Sequence, residues 1–323
     1  MDALSDVLRA VRLSGAFFFD VHARGPWVAE TPQGKSIVDK MFPGSGSDHL
    51  ICYHALMEGS CWAELEGEEP VRLTAGDIIL LPHGDTHVLS TDVGMRKSAN
   101  MAMYRMPEDG RLPIKIAVGT EDGDAAHFVC GFLGCDSRPY NPLLTALPRV
   151  IRVSDHGTGA LGAYFRAALA ESKGRMGGEC MLSRISELMF VDVVRRYLET
   201  LPESRTNWLS GLRDPYVGRA LTALHEEPAR DWTLESLAQV AALSRSAFAE
   251  RFVEFVGQPP MQYLTNWRMQ LATNYLRNGT ESIAAVANRV GYDSEAAFSR
   301  AFKKTVGSPP SEWREVHVHG RAA

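Results

Sequence analysis

The run Ile283–Trp313, IAAVANRVGYDSEAAFSRAFKKTVGSPPSEW, decides the fold, because Leu234–Leu264, LESLAQVAALSRSAFAERFVEFVGQPPMQYL, carries the same pattern. Phe248 and Phe298, Phe252 and Phe302, Gly257 and Gly307, and Pro259-Pro260 and Pro309-Pro310 each stand 50 positions apart. Val240 and Val290 keep that offset, as do Ser244 and Ser294. Each copy reads as two helices joined by a tight turn, a helix-turn-helix unit. Thr233 is placed to cap the first helix, with Glu235 in its favourable first turn. Leu234, Leu237, Ala238 and Ala241 form its apolar stripe, and Ser244 caps the next helix, where Phe248, Phe252 and Phe255 follow at helical spacing. Gly257 or Gly307 then stops the chain, with Pro-Pro just beyond. Between the copies, QYLTNWRMQLATNYLRNG reads as one long helix. Periodicity alone also fits a duplicated helical bundle that never meets DNA.

Charge does not choose between these readings. The chain carries a net −5, and residues 214–316 hold eleven basic side chains against twelve acidic ones. That balance is unusual for a DNA-binding domain, where neutralising phosphates supplies much of the affinity. Architecture has to carry the argument.

The run Gly291–Arg314, GYDSEAAFSRAFKKTVGSPPSEWR, resembles the signature of the AraC/XylS family of transcription regulators along its whole length. The resemblance spans roughly the last 100 residues of ordered pattern. It implies that the second helix of each unit enters the major groove, the two insertions lying about one turn of DNA apart. The outward positions are then Arg245, Ser246, Ala249 and Glu250 in the first unit. In the second they are Glu295, Ala296, Ser299 and Arg300, with Lys303 and Lys304 one turn on. Arg300 could grip guanine with two hydrogen bonds, and Glu250 or Glu295 could accept from cytosine N4. Ala249 and Glu250 stand where a longer polar or basic side chain is commoner, which shifts base reading in that unit toward Arg245. The plainer reading of each residue is a solvated helix face.

The rest of the 323 residues suffice for a second domain with its own core. HLICYHALMEG, CWAELEG, PVRLTAGDIILLPHGD and HFVCGFLGCD alternate like antiparallel strands broken by turn residues. LGAYFRAALAES and CMLSRISELMFVDVVRRYLETL are helical in period. The expected fold class is α+β: a cupin-like antiparallel β-barrel with a helical segment, then an all-α domain of two helix-turn-helix units. The expected boundaries are 1–202 for sensing and dimerisation, 203–213 for a linker, 214–314 for DNA binding and 315–323 for a tail. Hydrophobic content of 45% and charged content of 23%, with no long apolar run, fit a cytoplasmic protein away from membranes. There the five cysteines would stay reduced.

Gly76, Pro82, Gly84 and His87 in GDIILLPHGDTHVLST resemble the second conserved motif of cupin barrels, whose terminal His is a metal ligand; Thr91 replaces the usual Asn. The upstream motif is poorer, its ligand positions falling near Gly46, Asp48 and Cys52, so no complete metal set remains. That argues against a cupin enzyme, which needs a full ligand set. The chain is accordingly read as a non-enzymatic regulator. Cys52 and His54 share a strand face. His54, His87, Cys130 and Cys135 are the candidate metal or effector residues, and thiolates with imidazoles would suit zinc. Cys130 and Cys135 are alternatively a redox pair flanking a turn at Gly131–Gly134, or all of these are core residues around a small-molecule effector. The expected partners are promoter DNA, that effector, RNA polymerase if the output is activation, and a second copy joined through the apolar face Leu182, Ile185, Leu188, Met189 and Val193.

Overall fold

The computed structural model describes residues 2–11, 13–41, 47–104, 112–155, 159–171, 176–202 and 204–319. In chain order its first elements are α1 (Ala3–Ala10), β1 (Leu13–Arg24), β2 (Val28–Thr31), α2 (Gly34–Met41), β3 (His49–Glu58) and β4 (Ser60–Leu65). Next come β5 (Val71–Thr74), β6 (Asp77–Leu81), β7 (His87–Ser90), a 3-10 turn at Met101–Met103, β8 (Ile114–Gly119), β9 (Ala125–Cys135), α3 (Pro142–Ala146) and β10 (Ile151–Ser154). The chain then turns helical: α4 (Ala160–Glu171), α5 (Gly178–Thr200), α6 (Trp208–Arg213), α7 (Val217–Glu226), α8 (Leu234–Ala241) and α9 (Arg245–Val256). It closes with α10 (Pro260–Asn278), α11 (Ile283–Arg289), α12 (Glu295–Val306) and α13 (Pro310–His319). Two compact units result, one of Leu13–Cys135 with Leu147–Glu199, the other of Met1–Arg12, Asp136–Ala146 and Thr200–Ala323.

The first unit holds a six-stranded sheet in the order β10-β6-β3-β9-β1-β8 and a four-stranded sheet in the order β2-β7-β4-β5. The sheets share no ladder among the described residues, so the expected closed barrel is instead two sheets, and its edge pair β1–β8 is parallel. Alternation reports which face a strand buries; it does not report whether edge strands meet. On β3 every residue from Leu50 to Leu56 is buried, because both faces are covered. Outward, the Tyr53 hydroxyl lies 2.9 Å from Ser186 Oγ on α5, and its ring centroid is 6.2 Å from that of Phe165 on α4. Gly131 makes room for that ring: a Cβ there would sit 1.9 Å from Tyr53 Cζ. The glycines of GFLG therefore do not turn the chain, and β9 runs straight through them. On α5, Leu182, Ile185, Met189 and Val193 are buried while Leu188 and Met181 stay exposed.

The second unit confirms the repeat. Thr233 caps α8 in a reciprocal box with Ser236, and Ser244, Ser282 and Ser294 cap α9, α11 and α12. Met269, Ala272, Leu276, Val286, Phe298 and Phe302 form the core under α11 and α12. Residues 203–213, expected as linker, contain α6, a helix too short to show a period. Its Trp208 indole N–H donates to the Tyr263 hydroxyl at 2.9 Å. Residue 203, and 320–323 of the expected tail, lie outside the described residues. The helical unit also includes stretches far from it in sequence: Asn274 Nδ2 donates to the Ala10 carbonyl at 2.7 Å, and Arg277 pairs with Asp136.

The two turns differ in one respect. Ala242 holds a left-handed φ of 55°, whereas in the second unit the left-handed residue comes one place earlier in the repeat and is a glycine, Gly291, at 81°. An alanine there carries a steric penalty of roughly 1 kcal/mol that glycine escapes. Ala242→Gly should therefore leave stability unchanged or raise it by up to about 1 kcal/mol, glycine's extra unfolded-state freedom opposing the gain. A lowered melting temperature would show that Ala242 is not strained.

Candidate nucleic-acid interface and sensor cavity

The buried rings set how each second helix is rotated. Phe248 and Phe252 are fully buried on α9, as are Phe298 and Phe302 on α12. Arg245, Ser246 and Glu250 are consequently exposed, as are Glu295, Ala296, Arg300, Lys303 and Lys304, while Ala249 and Ser299 are half-buried.

The cations of this region then sort into two kinds. Arg219 donates to the carbonyls of Pro215 and Ala241, and Arg230 pairs with Glu227 over the Trp232 ring. Arg251 pairs with Asp214, whose carboxyl is pushed up by burial but held below its ordinary range by that bond and the amides of Val217 and Tyr216. Arg268 donates to the carbonyls of Pro228, Gly291 and Arg230. Arg277 pairs with Asp136, Arg289 pairs with Glu281 against the Tyr275 ring, and Arg314 donates to the Glu281 carbonyl. Arg245, Arg300, Lys303 and Lys304 remain, with no carboxylate among the described residues at ion-pair distance. All four lie on the second helices. The near-zero charge balance thus conceals a sorted distribution, with uncommitted positive charge left on the exposed faces of α9 and α12.

In the sheet unit a cavity of about 400 Å³ lies between the two sheets. Phe19, Val21, Phe128, Phe132 and Tyr104 give it apolar walls; His54 and Cys130 are polar groups on one side, and Glu30, Thr31, Lys97, Ser98 and Asn100 add polar and charged groups elsewhere along the lining. His54 of β3 faces His87 of β7 across the sheets, Nε2 to Nε2 at 2.6 Å, and His54 Nδ1 lies 2.7 Å from Cys130 Sγ. One proton arrangement satisfies the chain. His87 Nδ1–H donates to the Asp85 carbonyl at 2.7 Å, leaving Nε2 to accept from His54 Nε2–H, while His54 Nδ1 accepts from the Cys130 thiol. Burial holds His87 down at about 4 and, together with His87 itself, keeps His54 well below the usual histidine range. Burial also pushes the Cys130 thiol well up. The relay is therefore neutral at pH 7.

Three of the four expected sensor residues come together, but not around one point. Cys130 and His87 bond opposite nitrogens of His54. Cys135 stands five positions further along the continuous β9 and so on its other face, about 16 Å away at strand rise. The expected four-ligand site is not assembled. A disulfide between Cys130 and Cys135 is ruled out in this fold, since bridged Cα atoms must lie within about 7 Å. Gly46 of the upstream motif lies outside the described residues. Among the described residues, the His/Cys/Asp/Glu group whose ligand atoms all lie within 4.8 Å of one another is Asp20, His22 and His127. Asp20 and His22 were not singled out by the sequence reading; their weak signal is Asp-x-His on a strand, which puts both on one face.

A helix-turn-helix family model matches residues 237–315, and a cupin family model matches residues 2–199. A putative AraC-like transcription regulator of Streptomyces lividans is 32% identical across 98% of both chains. The chain belongs to the AraC family of transcription regulators. The HTH-type transcriptional regulator AlkR of Acinetobacter baylyi is 30% identical, covering 98% of this AraC-family chain and 99% of its own. The DNA-binding domain of AdpA, solved in complex with a target DNA, is 29% identical, covers 34% of this chain and 97% of that domain, and superposes with a TM-score of 0.33. Among the described residues of this AraC-family regulator, no helix is long and apolar enough to cross a membrane.

Proposed function

We propose that this AraC-family regulator reads promoter DNA through the exposed faces of α9 and α12, under control of a small effector with both apolar and polar groups bound between the sheets. The observation that carries the DNA side is the concentration of uncommitted cations, Arg245, Arg300, Lys303 and Lys304, on the two second helices. Arg300, near the middle of α12, is placed for a base edge; Lys303 and Lys304, a turn later, suit phosphates. Ser246, Ala249, Glu250, Glu295, Ala296 and Ser299 complete the two faces. On the effector side, about 400 Å³ is within the range of small-ligand pockets. The uncharged relay His54–His87–Cys130 would test an incoming polar atom for a matching hydrogen bond. A second copy joined near the exposed Met181 and Leu188 of α5 would double the half-site energy, and an activating output would add RNA polymerase as a partner.

The DNA assignment is tested by comparing two variants on operator and scrambled DNA. Arg300→Ala should cost about 1–3 kcal/mol on operator and relax specificity at one position. Lys303→Ala should weaken both DNAs alike and lower the salt slope by about one unit. Indistinguishable behaviour of the two variants would overturn this division of labour.

A further inference from the structure

We propose that Asp20, His22 and His127 form a site for a divalent transition-metal ion, with zinc as the best match to their donors, on the face of the six-stranded sheet opposite the effector cavity. Antiparallel register places His22 of β1 directly beside His127 of β9 and Asp20 beside Val129, so all three side chains emerge on one face. The imidazoles stack with centroids 4.3 Å apart and 6° between planes. Both Nε2 atoms face the same carboxylate oxygen: Asp20 Oδ1 lies 2.7 Å from His127 Nε2 and 3.4 Å from His22 Nε2.

A purely structural Asp–His pair would account for the shorter contact and leave His22 unexplained. Its ring is exposed, yet its nitrogen is aimed at Asp20 at a distance long for a hydrogen bond. An ion seated among the three would take one nitrogen from each ring and one oxygen from the carboxylate. Two imidazoles and a carboxylate form a donor set suited to zinc and to neighbouring divalent metals. Glu58 of β3 pairs with His127 on its other side and lines the same open depression, but its carboxylate is not among the ligand atoms that lie within 4.8 Å of one another. Asp20 is buried and His22 exposed, which leaves the solvent side free for water or an exchangeable ligand. The alternate residues of these strands, Phe19, Val21 and Phe128, line the effector cavity on the opposite face. A bound ion would therefore tie together the strand pair that forms the cavity's wall.

The test uses the full-length protein, stripped with a chelator and titrated with zinc chloride alone by calorimetry, with metal content measured after dialysis. The expected result is about one zinc per chain. His22→Ala, an exposed substitution that should not disturb folding, and Asp20→Asn should each abolish that uptake, while His87→Gln retains it. Cobalt should bind in the same place and give a visible absorption band that His22→Ala removes. Absence of zinc uptake by the parent protein, or unchanged uptake by His22→Ala, would overturn the proposal. Uptake lost in His87→Gln but kept in His22→Ala would overturn it in favour of the cavity histidines.

Discussion

Phe298→Ala should destabilise the helical unit by about 3–5 kcal/mol, the usual cost of deleting a fully buried aromatic ring. Phe298 is completely buried between Tyr292 and Phe302, with ring centroids at 5.7 Å and 5.5 Å. Phe302 in turn meets Trp313 edge-on at 6.2 Å. Deleting the first ring would leave a void that helices pinned by caps at Ser282 and Ser294 could close only in part. Total stabilities of about 5–15 kcal/mol make such a loss a large fraction of the whole. Binding to operator DNA should fall with it, because Phe298 and Phe302 are what rotate Arg300 outward. Phe298→Leu, which keeps most of the volume, should cost much less and retain binding. Urea unfolding followed by tryptophan fluorescence measures both variants. A Phe298→Ala protein with the parent midpoint would remove Phe298 from the core.

The helical unit was legible because its determinants are local. Each ring pair, cap and stop lies within a few residues of its partners, and a second copy of the pattern separates signal from accident. The strands β3, β4, β5 and β6 were legible for the same reason. What failed depends on pairing between distant segments. Gly131 and Gly134 look like turn residues until Tyr53, brought beside Gly131 by strand register, is seen to need the space. Once β9 is straight, Cys130 and Cys135 must point to opposite faces. Opposed sheets bring His54 to His87, and the shared candidacy of the two was visible. The cluster of Asp20 and His22 with His127 depends on a register between β1 and β9, segments 105 residues apart at His22 and His127, which no local spacing encodes. The sorting of arginines into structural and free groups is likewise invisible to a charge count.

The buried relay makes the sheet unit acid-sensitive, and the sign follows from where each histidine binds its proton. In the unfolded chain His87 titrates near 6.5, the ordinary value; in the folded chain burial lowers it to about 4. Below about pH 6.5 the unfolded state therefore takes up a proton that the folded state refuses, and folding stability falls as pH drops. The decline should run from about 6.5 to 4 and then level off, because below the folded value both states are protonated. At about 1.4 kcal/mol per pH unit, His87 alone accounts for about 3 kcal/mol. His54, held lower still by burial and by His87, works in the same direction. His225 in the helical unit, lowered by burial to about 3, adds an acid sensitivity of its own. Comparing the parent with His87→Gln cancels that contribution, since both proteins keep His225. The expected result is that the variant loses about 3 kcal/mol less stability than the parent between pH 7 and pH 4, read from urea unfolding at each pH. Parallel losses in the two proteins would mean that His87 is not held neutral in the folded chain, and the uncharged state of the His87–His54–Cys130 relay would fall with it.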